Sequence, residues 1–146
     1  MIHGAPVPPF TQAWADAFRA RVNESPEYRQ AAKRWHGPLA LVLEPSPHHG
    51  FPTPRALVLE FDGRGCIRAD AETTDHVDAP FVITGDYRSW KRIMRGELDP
   101  IAAIVRRRLH LHGSLAKVLL HARAAKTLIA CATTIPTRFP DDEMPQ

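Results

Sequence analysis

The apolar residues change their spacing once along this chain, and that change limits the fold more than any other feature. Between Leu39 and Thr84 they mostly alternate with other residues; from Gly85 onward they recur every three or four residues. Alternation puts every second side chain on one face of a strand, whereas the longer spacing lines one side of a helix. Leu39, Leu41 and Leu43 predict one strand, and Leu57, Leu59 and Phe61 within Arg55–Phe61 predict a second. Ala40, Val42, Ala56 and Val58 occupy the opposite faces, so one face is greasier than the other. Asp62-Gly63-Arg64-Gly65 is a turn signal joining the second strand to a third over Cys66–Ala71. Ala79–Thr84 predicts a fourth strand, and the alternating Leu109-His110-Leu111-His112 a short further one. Antiparallel pairing is the natural result of strands joined in this way.

Helical stripes flank the strands. Phe10, Trp14, Ala17, Phe18 and Val22 form the first. Ser25-Pro26 restarts the chain as cap and first helical residue, and Tyr28, Ala31, Ala32 and Trp35 form a second stripe that Gly37-Pro38 stops. Asp86 caps a helix carrying Tyr87, Trp90, Ile93 and Met94, closed by Gly96. Asp99-Pro100 opens another, with Ile101, Ile104 and Val105 on one side. Ser114 caps the last, whose stripe of Leu115, Val118, Leu119 and Ala122 extends to Leu128 and Ile129. Two helices, a strand meander, then helices with one more strand read as an α+β domain, a sheet with helices packed on one face. Residues 1–135 are expected to form a single domain, since 146 residues suffice to bury roughly two thirds of the unfolded surface. The segment 136–146, with three prolines and an acidic cluster, is expected to be disordered.

Several function classes find little support. Cys66 and Cys131 lie far apart with no Cys-x-x-Cys or Cys/His spacing, which reads as two free thiols in a reducing compartment and no zinc site. His110 and His112 would share a strand face, but no carboxylate or cysteine completes a metal set, so no metal and no cofactor are expected. Ser89, Ser114, Asp86 and Asp99 are accounted for as helix-start residues, and no nucleophile elbow or phosphate-cradling glycine loop occurs, so no enzyme is expected. The N-terminus lacks a basic flank and apolar core, and no apolar run approaches the roughly 20 residues of a membrane span, so a cytoplasmic protein is expected. Charge is uneven: ten basic residues between Arg88 and Lys126 face only Glu97 and Asp99. That excess suits an anionic partner such as a membrane surface. Nucleic acid fits poorly, because no aromatic residues interleave Arg106-Arg107-Arg108.

The run from Ala79 to Leu120 resembles the sterol carrier protein type 2 domain. The matching residues are Phe81 to Ile83, Trp90, Gly96-Glu97-Leu98, Pro100 with Ala102 and Ala103, Leu109-His110-Leu111, and Gly113. The specific part covers about a third of the chain, and the upstream meander agrees in strand order and length. The resemblance implies a mainly antiparallel five-stranded sheet covered by helices and enclosing an apolar tunnel. It also implies non-catalytic binding, and transfer, of a fatty acid, fatty acyl-CoA or sterol-like lipid. On it, Phe81, Ile83, Trp90, Met94, Ile101, Ile104, Val105, Leu115 and Leu119 are expected to line or border the cavity. Arg92, Arg95, Arg106, Arg107 and Arg108 are expected to meet a head group. Burying an acyl chain yields about 0.8 kcal/mol per methylene, so a dozen give roughly 10 kcal/mol before ordering costs. The alternative is an accessory module with no occupied cavity whose surface recruits a partner protein. The chain departs from the family pattern at Ser114, in the long connection Pro45–Pro54, and in lacking a Ser-Lys-Leu ending. The last points away from a peroxisomal role, and the Arg- and Pro-rich composition points to a bacterial source.

Overall fold

The computed structural model describes residues 5–32 and 37–143. Five strands, β1 (Gly37–Leu43), β2 (Arg55–Asp62), β3 (Gly65–Glu72), β4 (Phe81–Gly85) and β5 (Leu109–His112), form one sheet in the order β3-β2-β1-β4-β5. All neighbours pair antiparallel except β1 and β4, which are parallel. The register sets Leu39 beside Leu59 and Phe81, and Leu41 beside Leu57 and Ile83. The alternating leucines thus gather on one sheet face, and that face carries the helices.

Six helices follow from the expected signals: α1 (Gln12–Asn23), α2 (Pro26–Ala31), α3 (Tyr87–Met94), α4 (Pro100–Val105), α5 (Leu115–Leu120) and α6 (Ala122–Thr133). Ser25, Asp86, Asp99 and Ser114 each cap a helix, their side chains accepting from the backbone N–H three residues on. Thr11 does the same for α1. Gly96 follows α3 at φ +74, a left-handed conformation that costs glycine little. The last stripe is broken into two helices at His121, whose φ of −109 and ψ of 26 depart from helical values. The expected position of Trp35 lies outside the described residues.

Helix α1 is fastened to the margin of β3 by its polar side. The Gln12 amide donates to the Ala69 carbonyl at 2.9 Å and accepts from the Ala71 N–H at 2.9 Å. Asn23 does likewise at Cys66, accepting from its N–H at 2.8 Å and donating to its carbonyl at 3.0 Å. Meanwhile Trp14, Phe18 and Val22 are buried.

Of the segment from Pro136, residues 136–143 are described, and they contact the rest of the domain. Val7 N–H donates to the Pro136 carbonyl and Arg138 N–H to the Val7 carbonyl, at 3.1 and 2.8 Å. Phe139 is buried, edge-on to Tyr87 and beneath the cations of Lys91 and Arg95. Asp141 accepts from the Tyr87 hydroxyl at 2.6 Å and pairs with Lys91 at 2.9 Å. One buried ring and matched charges make these contacts.

Candidate functional site

Between the leucine face and the helices lies an apolar void of about 90 Å³. Leu39, Leu41, Leu59, Ile83 and Leu109 form its floor. Trp14 and Phe18 of α1 and Trp90, Ile93 and Met94 of α3 form its sides, and Ala125, Leu128, Ile129 and Ala132 of α6 its roof. Both indole N–H groups that could have made it polar are engaged elsewhere. Trp14 donates to Thr137 Oγ1 at 3.0 Å, and Trp90 to the Val42 carbonyl at 2.9 Å. A space walled in this way offers water no partner and suits an apolar occupant. A second void of about 70 Å³ adjoins it, sharing Leu39, Ile83, Ala125 and Leu128. Phe81, Val118, His121 and Ala124 complete it.

Of the residues expected at the cavity, Phe81, Ile83, Trp90 and Met94 line these voids. Ile101 and Ile104 are half-buried on α4 and line neither. Val105, Leu115 and Leu119 are 62%, 39% and 48% exposed and line neither void. The reason is helix length. Ile104 and Val105 are adjacent, so they point about 100° apart, and the one turn and a half of α4 cannot bring both inward. Helix α5 is equally short and buries none of its residues fully. Sequence reasoning missed the contributions of Trp14, Phe18, Leu39 and Leu41. Their stripes were visible, but periodicity does not separate a residue filling the core from one facing a gap in it.

The cationic residues sort differently. Arg92, Arg107 and Arg108 converge with Arg88, Ser89 and His110 on an open groove of about 490 Å³ that also holds Glu44 and Asp86. Arg95 is drawn away to Asp142 at 2.6 Å and lies over Phe139. Arg106 ends α4, exposed and outside the groove.

The thiols are poor nucleophiles. Burial pushes Cys66 up to about 11 and also raises Cys131, so both remain protonated near neutrality. Among the described residues no three His, Cys, Asp or Glu side chains gather as a metal site, and no helix is long and apolar enough to cross a membrane.

Sheet and helices, with an apolar space between them, define an α+β domain. The model of the SCP-2 sterol transfer family matches residues 15–126, and the chain belongs to that family. A crystal structure of sterol carrier protein 2 is 38% identical, covering 87% of this chain and 98% of its own, with a TM-score of 0.83. A conserved hypothetical protein from Thermus thermophilus, described as a candidate sterol carrier protein, is 36% identical over 92% of this chain and 94% of its own, with a TM-score of 0.84. The apo sterol carrier protein 2 of Yarrowia lipolytica shares the fold at 14% identity, covering 81% of this chain and 88% of its own, with a TM-score of 0.52. No curated protein matches the chain. Family membership implies lipid or sterol binding in general, and the family is mostly non-catalytic.

Proposed function

We propose that the chain binds a single lipid, a fatty acid, fatty acyl-CoA or sterol-like molecule, non-covalently between the leucine face and α6, and performs no chemistry on it. The observation that carries this reading is the lining of the larger void, apolar throughout, with both tryptophan N–H groups bonded elsewhere. A lipid in the larger void meets no unpaired donor. The voids of about 90 and 70 Å³ are smaller than the roughly 300 Å³ at which ligand pockets begin. Entry therefore requires the roof to yield, and the shared residues Ala125 and Leu128 are where the two voids merge. Helix α5, which buries no residue fully, is the element most easily displaced. Delivery from an anionic membrane surface in the cytoplasm fits the basic excess between Arg88 and Lys126.

Native mass spectrometry of the purified protein, followed by solvent extraction, tests the class of occupant. A co-purifying lipid is the expected result. Ala125→Phe should fill the junction of the two voids. Loss of fluorescent fatty-acid uptake with Tm retained is expected. A bare wild-type mass with no uptake would replace the lipid reading with the accessory module.

A further inference from the structure

The groove of about 490 Å³ lies outside the apolar voids, behind Trp90 and Leu109. These two line the larger void, while their neighbours Ser89, Arg108 and His110 line the groove. Four guanidinium groups reach it from separate parts of the chain: Arg88 and Arg92 from α3, Arg107 and Arg108 from the turn before β5. Elsewhere in the protein some cations are matched by carboxylates. Arg68 is ringed by Glu60, Asp70 and Glu72, and Lys91 and Arg95 are held by Asp141 and Asp142. Among the described residues none of the four guanidiniums in the groove has an ion pair or hydrogen bond. The two carboxylates present, Glu44 and Asp86, leave two positive charges in excess, and Asp86 Oδ1 is already taken by the Ser89 N–H at 2.8 Å. Arg107 also holds φ at +63, a left-handed conformation that is strained for a residue with a Cβ.

We infer that this groove binds a phosphate-bearing anion. A phosphate monoester or a pyrophosphate diester carries close to two negative charges, and free pyrophosphate about one more, each with several acceptor oxygens, which meets the excess charge and the forked donors of arginine. A lone carboxylate would leave one cation unmatched. The inference rests on the lipid reading only for what carries the phosphate: a phosphorylated carrier on an acyl chain in the neighbouring void, or a small phosphorylated molecule bound separately.

Calorimetric titration of the full chain with inorganic pyrophosphate, at fixed ionic strength, is the test. Saturable binding is expected, weakened about tenfold for each arginine removed in Arg92→Gln/Arg108→Gln, with the wild-type Tm retained. Arg107→Gly should weaken pyrophosphate similarly while leaving Tm at or above the wild-type value, because glycine accepts the left-handed backbone. A merely structural arginine would not separate the two readouts. Palmitoyl-CoA and palmitate distinguish the sources. If the thioester alone loses affinity in the double variant, the lipid carries the phosphate; if neither does while pyrophosphate does, the ligand is a separate molecule. Pyrophosphate binding that is unchanged in these variants, or equally weakened by Arg29→Gln/Arg123→Gln elsewhere on the surface, overturns the proposal. Arginine-dependent pyrophosphate binding without any fatty-acid uptake keeps the groove and removes the lipid reading.

Discussion

Trp90 serves the sheet and the void together: its N–H holds the Val42 carbonyl while its ring faces the gap. Trp90→Phe keeps most of the apolar surface but removes the indole bond to a carbonyl of the paired strand β1, a loss of about 0.5–1.5 kcal/mol measurable by urea denaturation. An unchanged midpoint would mean that another donor reaches Val42. Gly85 is a tighter case, since a Cβ there would run into Leu109 and Trp90. Gly85→Ala is expected to lower stability by about 1–3 kcal/mol in the same assay. At this scale the sequence was readable where a residue sits on a long stripe, as Trp90 and Met94 do on the eight residues of α3. On α4 and α5 six residues give too few turns for the spacing to fix which side is inward.

Among the elements, α1 depends on side chains for its attachment to β3. Asn23→Ala removes both bonds at Cys66, and hydrogen exchange at the Cys66 amide should accelerate with a stability loss of about 1–3 kcal/mol. No such acceleration would show that Gln12, Arg19 and the apolar side hold the helix without Asn23. The C-terminal turn Pro140–Glu143 responds to acid. Burial tends to raise the Asp141 carboxyl, but the Tyr87 hydroxyl and the Lys91 ammonium outweigh it and hold the group below the ordinary carboxylate range. A depressed value contributes stability above the ordinary range, and that contribution is lost as pH falls through the lowered one. Acid titration followed by NMR of the Phe139 ring should therefore show release in strong acid, a step that Asp141→Asn removes at the outset. The capping residues Ser25, Asp86, Asp99 and Ser114 were legible because a cap acts within three residues. The bonds from Gln12 and Asn23 were not, because their partners lie 57 and 43 residues away.

Over the whole molecule, a ligand that binds only the folded chain raises its stability by mass action, about 2.7 kcal/mol at a hundredfold excess over Kd. Thermal melts with increasing fatty acid should shift upward in wild type and stay fixed in Ala125→Phe. Strand number and the buried face were apparent from the alternating leucines, but the parallel pairing of β1 with β4 was not. Residues 73–80 carry the chain from the far edge back past β2 and β1, and nothing in their composition tells which neighbour β4 will take. The gap beneath α6 was likewise invisible, since periodicity marks the inward side without saying whether the interior is full. The fastening of α1 has a further consequence for how the protein behaves when concentrated. An exposed strand margin is a template on which a second chain can build. Gln12 and Asn23 already occupy the margin of β3 at Cys66, Ala69 and Ala71, so among the described strands fibre growth finds less footing there than on the four residues of β5 at the opposite end.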